Sequence, residues 1–526
     1  MAIQQKENHT YTTHLHFVQK AESLKKQLIT AIAKPVSIVS VRADPHAVFG
    51  WSATKAAEIS QLPELSFGKG QSVTIDFGTH LVGYPTLNIR PVGSPPDAPL
   101  HLRLTFGEMP FETEEDFSTY DGWVSSSWLQ QEQIHIDELP HVLELNRRYS
   151  FRYLKIEVLD TSKKFTVAFD DVFCKTVTSA DIQRVAPLHT QDLQLQTLDR
   201  ISIKTLQDCM QDIFEDGPKR DRRLWLGDLR LQALANYETF QNYDLVKRCL
   251  YLFAAVPDDN GLVSSNLFIK PNLIPDDTYL LDYALFFAVT LHDYFMATND
   301  HETAHELWPV AYRQIELVLT RVNSQHLLED DSTGAWWCFI DWHPTLNKQA
   351  AMHGIMIYSM KRAATLARAI GQTVQADVLE KKISAMKNAA ILYLWDESKQ
   401  QFTSGSERQI SWASQIWMVL AEVFDTDKSH KIMATLIDEK PEITPVTPYM
   451  YHHLIDALIS VNDMAAATKF MESYWGEMVA DGADTFWEAY DPNNKGFSPY
   501  GNNLINSFCH AWSCTPTYFI RKYKMN

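Results

Sequence analysis

The sequence is short of positive charge. It carries 47 Lys and Arg residues against 65 Asp and Glu residues, which gives a formal net charge of −18. Proteins that bind nucleic acids neutralise the phosphates with Lys and Arg. The acidic balance therefore excludes a general nucleic-acid binder, and we expect no nucleic-acid partner. It also favours solubility, although it identifies no other partner.

Cysteine pairs and long apolar runs are also missing. Six cysteines are dispersed along 526 residues and none forms a CxxC pair, which excludes a disulfide framework and a zinc ribbon. No stretch reaches the roughly 20 apolar residues of a membrane span. The N-terminal segment MAIQQKENHTYTTHLHF lacks the apolar region and cleavage site of a signal peptide. We therefore expect a cytoplasmic protein that contacts no membrane and keeps its thiols reduced and mostly buried.

The first third of the chain has the alternating pattern of β-strands. A chain this long exceeds what one hydrophobic core usually supports, so at least two domains are expected. Residues 14–33 predict one short helix. From there to about residue 186, apolar and polar residues alternate with period two in short runs bounded by turns, which is typical of antiparallel sheets. Residues 1–186 are thus predicted to form a helix and a β-sandwich domain, with strands at 72–77, 100–106, 149–158 and 165–169.

After residue 187 the apolar period changes to that of a helix. About a dozen helices are predicted, the last over residues 504–521, and short connections alternate with long loops rich in Gly, Pro and aromatic residues. Six helix pairs in this order predict an (α/α)6 barrel over residues 187–526. An open α-solenoid would require a sequence repeat of fixed period, which is absent. The long loops would open at one mouth, where function usually sits. They are 216–227, 257–277, 328–348, 395–409, 439–448 and 481–503.

The first of these loops is a candidate catalytic segment. Between a helix stop at Gly217-Pro218 and a helix start near Asp228, about ten residues are dense in charge. The simplest interpretation is a solvated, salt-bridged loop. Trp225 argues against it, since a large apolar ring beside carboxylates suits a sugar site. The candidates here are Asp216, Arg220, Asp221, Trp225 and Asp228.

Two later segments add candidates. Trp487 and Glu488 lie in an aromatic-rich stretch without helical period, and His510 follows in the first turns of the predicted last helix. Glu488 could equally be an exposed loop carboxylate, and His510 a hydrogen-bonded core histidine. In the segment 336–342, Trp336 and Trp337 are better explained by packing. Asp341 and Trp342 precede a proline-containing loop and are better site candidates.

Carboxylates from separate mouth loops fit glycoside hydrolysis. That reaction needs one protonated carboxyl at the leaving oxygen and one carboxylate at water or at the anomeric carbon, and the separation of the two decides the stereochemistry. The sequence does not give that separation. His301-Glu-Thr-Ala-His305 formally matches the HExxH motif of zinc proteases. It lies at a helix start and lacks a third ligand, and the helix dipole explains Glu302, so no metal is expected.

The two acidic segments resemble glycoside hydrolase family 78, the α-L-rhamnosidases, whose order of β-sandwich and (α/α)6 barrel is the same. The similarity covers most of residues 40–520. The strand segments 75–78 and 82–84 also resemble the family's sandwich domain. The chain departs from the family pattern at Asp221, where the family has a Glu, and at Gly217, where it has a Cys. The matching motif residues are Asp216, Pro218, Arg220, Trp225, Gly227, Asp228, Asp341, Trp342, Trp487, Glu488 and His510.

The resemblance implies removal of terminal non-reducing α-L-rhamnose from glycosides or oligosaccharides with inversion. Asp221 would be the general acid, with Asp216 and Asp228 as rivals, and Glu488 the general base. It implies no cofactor, and a homodimer. Two alternatives stay open: an unsaturated glucuronyl hydrolase and a catalytically degenerate carbohydrate-binding protein. The aglycone is not encoded in any motif. The implied substrate-binding residues are Asp216, Arg220, Trp225, Asp228, Asp341, Trp342, Trp487 and His510.

Overall fold

A computed structural model describes residues 10–330 and 337–525. In the described chain, nine antiparallel strands form one hydrogen-bonded network. The longest strand, β4, pairs with β8 through residues 72–83 and with β9 through residues 83–93. The strands are β1 (Ile29–Ala33), β2 (Ser37–Ala43), β3 (Trp51–Glu58), β4 (Ser72–Gly93), β5 (Leu100–Gly107), β6 (Gln131–Ile136), β7 (His141–Glu144), β8 (Tyr149–Asp160) and β9 (Phe165–Thr178).

The alternating residues of these strands form an apolar core of their own. Ile75 of β4, Leu104 of β5, Phe151 of β8 and Val167 of β9 are completely buried in one cluster. Between the buried residues of β5, His101 and Arg103 are partly exposed. Period-two alternation thus separates a buried from a solvated face, and the predicted sandwich domain is confirmed.

In the part of residues 187–525 that the structure describes, the second domain is built from six helix pairs. Each pair consists of an outer helix followed by an inner one. The first five inner helices contact one another in chain order, and the ring is closed by the last inner helix, which contacts the first, and by the 3₁₀ turn at Ala511–Ser513, which contacts the fifth. The inner helix α5 (Leu281–Thr298) is buried along almost its whole length, whereas the outer helix α12 (Met464–Ala480) is buried on one face. The predicted (α/α)6 barrel is confirmed. The pairs are α2 (Leu193–Cys209) with α3 (Leu226–Glu238), α4 (Tyr243–Ala255) with α5 (Leu281–Thr298), α6 (His301–Leu319) with α7 (Gln349–Ala369), α8 (Thr373–Ala389) with α9 (Trp412–Leu420), α10 (Thr426–Glu439) with α11 (Pro448–Ser460), and α12 (Met464–Ala480) with α13 (Pro516–Lys522).

Long loops precede every inner helix, and short connections follow it. The chain needs only residues 299–300 to pass from α5 to α6, but it uses 481–515 to pass from α12 to α13. Since every outer helix runs toward the same end of the ring, the long loops gather at one mouth. Two adjacent loops also pair with each other at this mouth: residues 224–225 form a short antiparallel β-ladder with residues 266–267.

Two predicted helices are wrong in extent. Helix α1 covers only Leu15–Ser23, and Ile29–Ala33 instead forms the edge strand β1, which pairs with β9. The β-branched residues of this segment favour a strand once a partner is present. Residues 504–515 are not α-helical either; they form two 3₁₀ turns separated by extended backbone. Backbone groups of this segment form hydrogen bonds with other parts of the chain instead of helical ones. The Ile505 carbonyl, for example, accepts a hydrogen bond from Nε of Arg220.

The HExxH motif does not form a site. It opens helix α6, whose N-terminus is capped by Asp300 through a hydrogen bond from the Thr303 backbone N–H. His301, Glu302 and His305 are all exposed. The motif is therefore explained by local helix structure. Within residues 10–330 and 337–525, no helix has both the length and the apolar content needed to cross a bilayer.

A buried ionic network joins the two domains. His80 of β4 bonds to Asp208 of α2 (2.6 Å) and to Glu108 (3.0 Å), while Glu108 accepts from the backbone N–H of Phe508 (2.7 Å). Lys219 forms an ion pair with Glu112 and donates to the carbonyl of Asn506 (2.8 Å). The sheet domain thus holds two mouth loops of the barrel by charge-assisted hydrogen bonds.

Candidate active site

A cavity of about 360 Å³ opens at the mouth of the barrel. Its walls come from the loops before α3, α5, α7 and α13, together with a segment of the sheet domain. Its floor is largely buried polar and aromatic side chains. The lining residues are Trp123, Val124, Ser125, Trp128, Asp216, Arg220, Asp221, Arg223, Trp225, Asp228, Asp276, Asp277, Thr278, Leu280, Tyr283, Phe339, Trp342, Glu488, Tyr500, His510 and Trp512.

Arg220 links the two proposed catalytic carboxylates. Its Nη2 donates to Oε2 of Glu488, and its Nη1 lies 3.4 Å from Oδ1 of Asp221. Its Nε donates to the carbonyl of Ile505 at 3.0 Å, and its guanidinium lies 4.1 Å above the ring of Tyr500. A guanidinium fixed by so many partners sets the geometry of both acids.

Glu488 is held on every side. Besides Arg220, its carboxylate accepts from the Tyr500 hydroxyl, and its backbone carbonyl accepts from Nε1 of Trp512 at 2.9 Å. Burial raises the pKa of Glu488 above its ordinary value, against the opposing effects of Arg220 and the Tyr500 hydrogen bond. Glu488 is therefore a rigid carboxylate whose proton affinity suits a general base.

Asp221 is the most accessible of the four acidic candidates, which are Asp216, Asp221, Asp228 and Glu488. Its side chain is 19% exposed, against 5% for Glu488. Of the three arginines beside it in sequence, only Arg220 faces it. Arg222 donates to the carbonyls of Pro218 and Arg148, and Arg223 stacks on Phe268 at 4.2 Å. Two of the three neighbouring guanidinium groups are thus directed away from Asp221.

Asp216 and Asp228 form the acidic floor. Burial raises the pKa of Asp216 well above its ordinary value, with further contributions from Asp221 and Asp228. Burial likewise raises the pKa of Asp228, with Glu488 and Asp221 adding to the effect. Oδ1 of Asp228 has no hydrogen-bond partner among the described residues. Burial thus favours the protonated form of both carboxyls, and a protonated carboxyl can donate a hydrogen bond to a ligand.

His510 lies between two of these acids. Its Nδ1 is 3.6 Å from Oδ1 of Asp228, and its Nε2 is 3.9 Å from Oε1 of Glu488. Burial, followed by the charge of Arg220, lowers the pKa of His510 well below its ordinary value. The imidazole is consequently neutral, and its Nδ1 makes no hydrogen bond to the described protein. Together with Asp228 it offers a sugar hydroxyl both a donor and an acceptor.

Aromatic rings cover the remaining floor and walls. Trp225 meets Tyr283 edge-on at 6.2 Å, and Phe339 stacks on Trp512 at 5.5 Å. Glycine at position 227 is required for this arrangement, because a Cβ there would lie 2.4 Å from the Tyr283 ring. At Gly217, which stands in place of the family's Cys, a Cβ would lie 2.5 Å from the carbonyl of Arg220.

Eight of the ten predicted site residues line the cavity, and two do not. Asp341 is buried and accepts from the Thr447 hydroxyl (2.7 Å) and the Val446 N–H (2.9 Å), so it anchors the loop before α11. Burial raises its pKa to about 6. Trp487 is 2% exposed and packs against Phe508. Trp337 is buried as the packing interpretation predicts, whereas Trp336 lies outside the described residues.

The sequence interpretation missed several lining residues. Tyr500 was visible as one of many aromatics in its loop, but nothing singled out its hydroxyl as the donor to Glu488. Asp276 and Asp277 follow an unremarkable proline in the next loop. Trp123 and Trp128 belong to the sheet domain, and no sequence pattern links them to barrel residues hundreds of positions away.

A partly enclosed cavity with paired carboxyls and aromatic walls, at the mouth of an (α/α)6 barrel, is typical of a glycoside hydrolase. Residues 35–176 match the glycosyl hydrolase family 78 alpha-rhamnosidase N-terminal domain, and residues 183–523 match the bacterial alpha-L-rhamnosidase 6 hairpin glycosidase domain. The chain belongs to glycoside hydrolase family 78, the α-L-rhamnosidases. A comparison with curated protein sequences gave no match.

Solved structures agree with this membership. A rhamnosidase from Klebsiella oxytoca with rhamnose bound is 48% identical, with a TM-score of 0.96 over 98% of this chain and 100% of that one. A family 78 rhamnosidase of Bacillus sp. GL1 shares the fold at 21% identity and a TM-score of 0.74, over 91% of this chain and 50% of that one. The Streptomyces avermitilis enzyme complexed with L-rhamnose has a TM-score of 0.65 at 15% identity, over 94% and 44%.

Proposed function

We propose that the enzyme hydrolyses terminal α-L-rhamnosides by a single displacement that inverts the anomeric carbon. The observation that carries the proposal is the pair of carboxyls, Asp221 and Glu488, fixed by one guanidinium in a partly enclosed cavity. Support for the sugar comes from the Klebsiella oxytoca relative, which is described with rhamnose bound.

In the proposed reaction Asp221 acts as general acid and Glu488 as general base. Asp221 gives its proton to the glycosidic oxygen as the bond from that oxygen to C1 breaks. Glu488 takes a proton from the water whose oxygen forms the new bond to C1 on the opposite face. The products are L-rhamnose and the free alcohol of the leaving group. Arg220 and Tyr500 favour the ionised form of Glu488 that this step requires.

The floor would bind the sugar. Asp216 and Asp228, in the protonated form that burial favours, would donate hydrogen bonds to rhamnose hydroxyls, and the neutral imidazole of His510 can donate or accept one. Trp225 and Trp342 offer apolar faces to the ring and to the C6 methyl group. A methyl in an apolar pocket is worth about 1–3 kcal/mol of discrimination against its polar counterpart, so several such contacts are needed for a selective site.

Proton NMR of the first product tests the stereochemistry. An inverting enzyme releases the β-anomer of L-rhamnose from an α-L-rhamnoside before mutarotation. Initial release of the α-anomer would contradict single displacement and favour a covalent intermediate.

Two variants test the roles of the acids. Asp221→Asn should lower kcat by about 10²–10⁴ on an alkyl rhamnoside, and far less on a dinitrophenyl rhamnoside, whose leaving group needs no proton. Glu488→Gln should lower kcat on both substrates alike. An Asp221→Asn enzyme equally impaired on both would remove Asp221 from the acid role, and Asp216→Asn and Asp228→Asn would then be compared.

Electrostatics argue against an unsaturated glucuronyl hydrolase. A uronic-acid substrate needs a free cation for its carboxylate, but Arg220 is already engaged by Glu488 and Asp221. A degenerate binding protein would show sugar affinity without turnover in the NMR assay.

The proposal includes a cytoplasmic location and a homodimer. All six cysteines are buried thiols, which suits a reducing compartment. The dimer is implied by the family resemblance, and sedimentation equilibrium would measure it. A monomer at micromolar concentration would contradict it.

A further inference from the structure

The cavity is divided into a buried floor and an open rim. Asp216, Asp228, His510 and Glu488 on the floor are each exposed by 4% or less. On the rim, Trp123 is 50% exposed, although the residues beneath it are almost fully buried. A large ring left half in water at the entrance of a cavity is an unusual feature that suggests a binding role.

The Trp123 ring is held in place by the barrel. Its backbone N–H donates to the Tyr500 carbonyl (3.3 Å), and its Nε1 donates to the Pro499 carbonyl (3.1 Å). Next to it, Asn502 donates to Asp121 (3.1 Å). The ring of Trp123 lies 5.5 Å from that of Tyr500, whose hydroxyl binds Glu488. The sheet domain therefore presents a fixed aromatic face beside the catalytic carboxylates.

The rest of the rim segment is also ordered by local contacts. The Tyr120 hydroxyl donates to the Val124 carbonyl at 2.7 Å, and the Ser125 hydroxyl caps the short turn that carries Trp128. Trp128 packs under the guanidinium of Arg222 at 5.9 Å. Trp123, Val124 and Trp128 thus form one apolar wall of the entrance.

We propose that this wall is the leaving-group subsite, and that it takes a neutral group with a flat apolar face. An aryl ring and the C–H face of a pyranose both have this chemistry. The inference rests on the proposed function. If rhamnose binds on the floor of the cavity, its glycosidic oxygen must lie next to Asp221, whose carboxyl is located between the floor and the rim. The leaving group attached to that oxygen then lies against the wall formed by Trp123, Val124 and Trp128. Asp276 and Asp277 on the cavity lining disfavour an anionic leaving group.

Trp123→Ala tests the subsite, with Trp123→Phe as the matched control that keeps a flat aromatic ring but loses the Nε1 donor and part of the area of the indole. Values of kcat/KM are measured on nitrophenyl α-L-rhamnoside, on rhamnosyl-(1→6)-glucose and on methyl α-L-rhamnoside. We expect Trp123→Ala to lower kcat/KM by roughly tenfold on at least one of the two ring-bearing substrates, as expected for a lost ring contact. Methyl α-L-rhamnoside and inhibition by L-rhamnose should be unaffected, and Trp123→Phe should stay within about twofold of wild type.

The substrates separate the possible occupants. A loss confined to the nitrophenyl substrate identifies an aryl subsite, and a loss confined to the disaccharide identifies a sugar subsite. An equal loss on all three substrates, or no loss on either ring-bearing one, would overturn the proposal.

A binding measurement distinguishes failure of the leaving-group subsite from failure of the proposed function. If wild type cleaves no rhamnoside, the proposed function fails. Calorimetry with an uncleaved nitrophenyl thio-α-L-rhamnoside then decides the subsite. Weaker binding by Trp123→Ala than by wild type supports it, and equal binding overturns it.

Discussion

Replacing Tyr500 with Phe removes the hydroxyl that donates to Glu488 and keeps the ring that packs against Arg220. A hydrogen bond to a charged group contributes about 1.5–3 kcal/mol, and one pKa unit corresponds to about 1.36 kcal/mol. The bond favours the ionised carboxylate, so its loss should raise the pKa of Glu488 by about 1–2 units. The Arg220 guanidinium is retained in this variant and still pairs with the Glu488 carboxylate.

The pH dependence of kcat/KM on nitrophenyl α-L-rhamnoside measures this shift, because it reports groups of the free enzyme. Glu488 must be ionised to act as base. A higher pKa therefore moves the acid limb to higher pH, by about 1–2 units. On the acid side of the limb the variant should lose about 10- to 100-fold in rate, and the loss should shrink as the pH rises above the new limb.

Tyr490→Phe is the matched control. The Tyr490 hydroxyl donates to Asp481 at 2.6 Å in the same loop, but it does not line the cavity. Its removal should leave the acid limb in place. An unmoved limb in a folded Tyr500→Phe enzyme, or a limb moved to lower pH, would refute the assignment of Glu488 as the base supported by Tyr500.

Three further predictions concern residues outside the cavity. Lys219→Met leaves buried Glu112 without its cation and should lower the free energy of unfolding by about 3–5 kcal/mol, measured by denaturant titration. Trp487→Phe should lower it by about 1–3 kcal/mol while inhibition by L-rhamnose is unchanged, since Trp487 packs in the core. Asp341→Asn should cost about 1–3 kcal/mol, because an amide cannot accept all the bonds that Asp341 accepts from Trp342, Val446 and Thr447.

The contrary results are equally specific. A Lys219→Met protein as stable as wild type would show that the buried ion pair does not hold the domains together. An L-rhamnose inhibition constant that rises at least tenfold in Trp487→Phe, with little loss of stability, would place that ring in the sugar site. The same pattern in Asp341→Asn would make Asp341 a ligand rather than a loop anchor.

Much of the fold follows from local sequence patterns. A change of apolar period near residue 187 separates strands from helices because each element buries one side at its own spacing. The alternation of short and long connections then predicts six helix pairs and a functional mouth. Where tertiary hydrogen bonds replace helical ones, as at Lys219 and Arg220 with the backbone of 504–506, the local pattern predicts the wrong structure.

The acidic motifs by themselves determined which loops form the candidate site, since Asp216, Asp221, Asp228 and Glu488 all line one cavity. Only the tertiary structure decided the surroundings of each carboxyl. The proton affinity of a carboxyl depends on its burial and on neighbours hundreds of residues away in the sequence. The same tertiary contacts decide whether a tryptophan packs in the core or lines the cavity. The wall formed by Trp123, Val124 and Trp128 depends most clearly on the tertiary structure, because Trp123 reaches the cavity only when the sheet domain packs on the loop that carries Tyr500.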